Sequence, residues 1–213
     1  MRTSVHTPAL LGVALLALFL SEACARKPAE EKPKVDPLVE ERRERDLAFK
    51  SGSESPLRDE DRSRFVALDY FPVNPELRFQ AVLHRHPTPQ TLRIGTNTAE
   101  QRYALRYGYF EFQLEGQTCR LQVYRMLDDP PSGQAMLFVP FRDGTSGRES
   151  YGGGRYIDLR ENTSAIYDLD FNRSYNPSCA YGRDFSCPVP PKENTLAVPI
   201  RAGEKKYSLL EVY

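Results

Sequence analysis

Residues 109–123 read YFEFQLEGQTCRLQV. Phe110, Phe112 and Leu114 alternate with Tyr109, Glu111 and Gln113, and Cys119, Leu121 and Val123 alternate with Arg120 and Gln122. A period of two puts successive side chains on opposite faces of a strand, one face buried and the other wet. Gly116-Gln117 between the two runs predicts a short hairpin turn. Working outward, similar runs lie at Phe65–Tyr70, Leu77–His84, Thr91–Ile94, Gln101–Tyr107, Ala135–Phe141, Arg155–Leu159, Ala165–Phe171, Thr195–Ile200 and Tyr207–Leu210. So many short runs predict a mainly β fold, an antiparallel sandwich or partly open barrel, rather than alternating β-α units.

A helix precedes the strands. Asp36 offers an N-cap acceptor and Pro37 suits the first helical position. Leu38 to Lys50 continues with helix formers, and Gly52 and Ser55-Pro56 end it. Glu41 and Arg45 are spaced to pair across one turn. Val39, Arg43 and Leu47 share a face, with Phe49 nearby, so docking by the C-terminal end is expected. Asp59 to Phe65 adds a short helical turn.

The chain has 213 residues, enough for one domain and a tail. Lys plus Arg and Asp plus Glu each total 29, and the zero net charge argues against a nucleic-acid partner, which needs a basic surplus. At 40% hydrophobic and 11% aromatic residues, a core can form and wholesale disorder is excluded. Four Cys allow no dense disulfide framework.

The N-terminus reads as an address. Arg2 and His6 precede the apolar run Ala9–Leu20, which as a helix would rise about 18 Å, short of a hydrocarbon core of about 30 Å. Residues 1–23 therefore read as a signal peptide. Leu20-Ser21-Glu22-Ala23-Cys24 resembles a bacterial lipobox, though Ser21 and Glu22 depart from its usual residues, and Ala23-Cys24-Ala25 fits ordinary secretory cleavage. Lipidation of Cys24 is favoured, because a lone Cys after the apolar run has no other obvious use. Residues 24–36 form a charged, Pro-bearing tether, and residues 37–213 form one β-rich domain. The expected location is the bacterial cell envelope, membrane-anchored on the extracytoplasmic side, with a soluble secreted or periplasmic form as the alternative.

From Asp143 to Asn194 the pattern becomes irregular and rich in Gly, Pro, Tyr and Asn; long ordered loops of this kind tend to be functional. Alternation puts Asp168, Asp170 and Asn172 on one face of their strand. Glu149 and Arg155 precede it, in a segment that could return beside it as a hairpin. Arg155 would then pair with Asp170 or Glu149 at the mouth of a pocket walled by Tyr151, Tyr175 and Tyr181, with Asn172 and Asn176 lining it. The alternative is a buried Arg155–Asp170 pair that only holds loops, with the asparagines satisfying backbone groups. An enzymatic version makes Glu149 or Asp170 a general base and Arg155 a clamp, as in a hydrolase. A third reading is a scaffold that meets a protein partner.

Cys179 and Cys187 are expected to form a disulfide in an exported protein, with two free thiols as the alternative. Cys119 reads as a buried small hydrophobe. His84-Arg85-His86 resembles half of a metal site, but no other His survives signal removal and carboxylates would have to complete the shell, so no metal is expected. Gly152–Gly154 lacks the Lys-Ser/Thr of a phosphate loop, no G-x-S-x-G elbow occurs, and no cofactor is expected.

Ordered motifs carry a family resemblance. They include Glu44-Arg45-Asp46, Phe138-Val139-Pro140-Phe141, Thr145-Ser146-Gly147 and Gly154-Arg155-Tyr156. Asp170-Phe171-Asn172, Tyr175-Asn176-Pro177, Cys179-Ala180-Tyr181, Cys187-Pro188 and Ala202-Gly203-Glu204-Lys205 follow. From about Glu41 onward the chain resembles a prokaryotic family known as domain of unknown function 1684. The resemblance implies one domain and brings no assigned activity or catalytic residues.

Overall fold

A computed structural model describes residues 36–128 and 135–208, together with Met1. Helix α1 spans Pro37–Ser51 and α2 spans Asp59–Arg62. Six strands follow: β1 Arg78–Gly95, β2 Gln101–Leu114, β3 Gln117–Met126, β4 Met136–Phe141, β5 Arg155–Arg160 and β6 Ile166–Asp170. They form one antiparallel sheet in the order β5-β4-β3-β2-β1-β6. Because β6 returns to β1, the sheet curls until its two edges, β5 and β6, approach each other in a nearly closed barrel. The expected β5–β6 hairpin does not form; the two strands flank an open seam.

The alternation in β2 and β3 is realised except at Gln122, which is buried and donates its amide to Asn194 Oδ1. Phe110, Phe112, Cys119, Leu121 and Val123 are buried in the barrel core with Val139, Phe141, Ile157, Leu169 and Phe171. The turn lies one residue earlier than expected. Leu114 pairs with Gln117, and Glu115-Gly116 form the loop, both with positive φ (49° and 72°), as a primed turn requires.

Leu77–His84 and Thr91–Ile94 fuse into the single strand β1, whose pairing with β2 shifts between Arg85 and Gln90. Pro87 and Pro89 lie in that interval and cannot donate to a ladder, so the strand bends without ending. Gln101–Tyr107 and Tyr109–Leu114 fuse likewise into β2 around Gly108, where a Cβ would stand 2.6 Å from the His84 carbonyl oxygen.

Two other expected strands are absent from the described residues. Phe65–Tyr70 forms no strand; its end pairs with the C-terminal segment, through a bridge from Tyr70 to Glu204 and a bond from the Lys205 amide to the Asp69 carbonyl. Thr195–Ile200 alternates as expected, with Leu196, Val198 and Ile200 in the barrel core, but its backbone bonds the loop after β4 instead of a sheet edge. Tyr207 is buried and not in a strand, and the rest of that run lies outside the described residues.

Helix α1 is capped as expected: Asp36 Oδ1 accepts from the Leu38 amide at 2.9 Å. Its docking face differs from the one expected. Val39 and Leu47 are about half exposed, at 52% and 51%, whereas Leu38 and Phe49 are buried. Arg42 and Arg45 lie between those two on the inner face. Phe49 packs edge-on to Tyr181 in a second cluster with Leu57, Phe65 and Tyr207. A third cluster, with Tyr124, Phe138 and Tyr156, includes Tyr175 at its margin.

Candidate functional site

The structure separates Glu149, Arg155 and Asp170. Arg155, at the start of β5, is fully buried and pairs with Asp143 at 2.8 Å, not with Asp170 or Glu149. Its terminal nitrogens also donate to the carbonyls of Ile200 (2.7 Å), Ala202 and Glu204 (3.2 Å), while its buried Nε has no acceptor. Burial pulls its pKa down, and the Asp143 carboxylate opposes that. Arg155 therefore ties the C-terminal segment into the barrel and has no access to a ligand.

Glu149 makes a two-pronged pair with Arg201, at 2.8 and 2.9 Å, on the surface. The Arg201 hydrogen bonds hold its carboxyl below the usual range, the reverse of what a general base near neutrality needs. Asp170 is buried and accepts from the Asn172 amide and side chain, at 2.9 and 2.8 Å, capping the turn Phe171–Arg173. Asn172 in turn clasps Asn74, accepting from its amide and donating to its carbonyl, each at 2.8 Å. The Asn176 side chain donates to the Lys205 carbonyl.

Tyr181 is buried and donates to Glu204. Glu204 also accepts from Arg45 Nε at 2.6 Å and from the Asn176 amide at 2.9 Å. This hub joins α1, the 170s loop and the C-terminal segment. The expected Glu41–Arg45 pair is replaced: Glu41 meets Arg173 at 2.9 Å. Gly203 precedes the hub with φ of 75°, and a Cβ there would stand 2.1 Å from Ser174 Oγ, so the position admits only glycine.

Cys179 and Cys187 are adjacent but unbonded in the structure, a departure from the expected disulfide. The Cys179 amide donates to Cys187 Sγ at 3.3 Å. The Cys179 thiol and backbone amides hold the Cys187 thiol down, to about 7, while the same contact pushes Cys179 up. Tyr151 lies 3.9 Å from the Cys179 sulfur. His84 stacks on Tyr109, and His86 bonds Gln122 at 2.9 Å. Among the described residues no set of three metal-ligating side chains is gathered. Cys24 lies outside the described residues.

A concavity of about 320 Å³ lies beside His86, Gln90 and Arg106, and Tyr175 lines three others, of about 120, 270 and 450 Å³. Its backbone pairs with Tyr156 at the edge of β5, and its hydroxyl donates to Asp158. Burial and the Asp158 carboxylate raise its pKa well above the usual phenol range, so it remains a donor. The smallest concavity lies between α1 and the 170s loop, with Arg42, Arg45, Tyr70 and Glu204 in its walls. The largest runs along the β5–β6 seam past Asp158, Asp168 and Asp170. Sequence reasoning placed Tyr175, Asp170 and Asn172 near a pocket and missed Arg42, Arg45, Tyr70 and Asp158. The spacing of Leu38, Arg42, Arg45 and Phe49 is the signal that could have found the inner face of α1.

Fold and cleft together define a small β-barrel protein with an N-terminal helix over one of its concavities. The chain belongs to the family described as protein of unknown function (DUF1684), whose model matches residues 63–205. It is similar to an uncharacterised protein of Haloarcula marismortui solved by solution NMR, at 37% identity and a TM-score of 0.63. That match covers 81% of this chain and 93% of the other. No curated protein matches the chain.

Proposed function

We propose that this protein is an exported, lipid-anchored binding protein of the bacterial cell envelope that captures a small or oligomeric ligand in the cleft around Tyr175. The observation that carries the binding reading is that Tyr175, with an apolar ring and a hydroxyl held by Asp158 and still able to accept, lines three concavities. Ligand sites combine apolar walls with a few fixed polar groups in this way. Glu149 and Arg155, which a hydrolase reading requires, are engaged elsewhere, so binding is favoured over chemistry.

The apolar run before Cys24 supports export, and Cys24 itself supports lipidation.

A thermal-shift screen of small polar metabolites against the wild-type chain and Tyr175→Ala tests the binding reading. Compounds that raise the melting temperature of the wild type and leave the variant unmoved are expected. A screen in which both proteins respond alike contradicts it.

A further inference from the structure

We infer that Cys179 and Cys187 hold a soft monovalent metal ion, Cu(I), between their two sulfurs. The site is separate from the cleft around Tyr175 and does not rest on it. Both cysteines are free thiols, and different anchors bring them together. Cys179 lies in the turn Ser178–Tyr181, whose far end is fixed by the buried Tyr181 on Glu204. Cys187 is fixed from another side. Its amide donates to Asn97 Oδ1 at 2.7 Å, and the Asn97 amide donates to its carbonyl at 3.2 Å. Between them the chain turns at Gly182, with φ of 99°. Each sulfur therefore keeps its place without the other, and a pair held in this way is organised before a ligand arrives.

The surroundings favour the thiolate, which is the form that ligates metal. Cys187 Sγ accepts from the Cys179 thiol and from the backbone amides of Cys179 and Ser178, the first amide at 3.3 Å. A metal ion would take the place of the proton that lies between the two sulfurs, and the amides would stay. The Tyr151 hydroxyl lies 3.9 Å from Cys179 Sγ, and burial pushes its phenol up to about 12, so it keeps a proton to offer that sulfur. Hydrogen bonds of this outer kind orient metal ligands and tune them. Cys179 is partly exposed, so the pair meets solvent on that side.

The donor set selects the ion. Structural Zn(II) takes four ligands, and so does an iron–sulfur cluster. Among the described residues no third His, Cys, Asp or Glu joins the pair. Two sulfurs alone suit a soft ion that is satisfied by two ligands, and thiolates select Cu(I). On binding, the thiol protons leave to water, two Cu–S bonds form, and the copper remains Cu(I) throughout.

The test titrates Cu(I) anaerobically into the reduced full chain against the coloured chelator bicinchoninate. The protein should withdraw one equivalent. Cys179→Ser and Cys187→Ser should each weaken binding by more than about a hundredfold, a larger loss than outer partners cause. Cys119→Ser should bind as the wild type does. Tyr151→Phe should weaken binding up to about tenfold with an unchanged unfolding midpoint. Copper-edge X-ray absorption on the wild type reads the site without any variant, and two sulfur neighbours are expected. No copper withdrawn from bicinchoninate overturns the inference, as does copper retained by the double variant Cys179→Ser/Cys187→Ser. Three or more neighbours at the copper also overturn it. So does Co(II) giving the visible bands of a tetrahedral thiolate complex, since such a site would take Zn(II) instead.

Discussion

Arg155 donates from inside the barrel to Asp143 and to three carbonyls of the C-terminal segment. Removing one member of a buried pair strands the other charge away from water. Arg155→Ala should therefore lose about 3–5 kcal/mol in urea unfolding, whereas Glu149→Gln should leave the midpoint unchanged, because that pair is at the surface. The sequence marked Arg155 as a ligand-binding residue pairing with Asp170 or Glu149; in the structure it is a buried tie to Asp143. The partner was illegible because Asp143 lies at the end of β4, and only the sheet order brings it inward. Cys187 gives a second prediction at this scale. With its folded pKa at about 7, below the unfolded thiol value, the reduced protein gains stability as pH rises from about 7 to 9. That contribution is absent below about 7. Urea midpoints of the reduced wild type against Cys187→Ser across this window measure it, and parallel pH profiles would contradict it.

At the scale of elements, α1 is held by a charged hub rather than by an apolar stripe. Leu38 and Phe49 grip its two ends, and Arg45 reaches Glu204 in the middle. Glu204→Gln keeps the hydrogen-bonding outline and removes the charge, leaving half-buried Arg45 unpaired. Trypsin should then cut within Arg42–Arg45 faster, while the barrel stays folded. Cleavage at the wild-type rate would show that apolar contacts suffice. The helix itself was legible, since Asp36-Pro37 is a strong start signal. Its inner face was not, because periodicity favours Val39 and Leu47 when arginines are assumed to be wet. Strand existence was similarly legible and strand continuity was not: Pro87, Pro89 and Gly108 read as breaks, but the barrel absorbs them as bends.

For the whole molecule, the pattern of period two predicted an antiparallel sandwich or a partly open barrel without choosing between them; the single sheet is the barrel, and the seam between β5 and β6 is its opening. Closing that barrel depends on residues far apart in sequence. Leu196, Val198, Ile200 and Ala202 fill the core without joining the sheet, which no local pattern could announce. The export reading belongs to this scale too. Cys24→Ser should move the protein from the membrane pellet to the soluble envelope fraction, and an unchanged distribution would remove the lipid anchor from the account. The central claim is that this barrel binds a ligand where α1, the 170s loop and the seam meet. Amide chemical-shift mapping of the protein against a low-molecular-weight envelope extract addresses it most directly. Saturable shifts focused on Tyr175, Asp158 and Arg173 are predicted; shifts confined to other surfaces, or none, would contradict it.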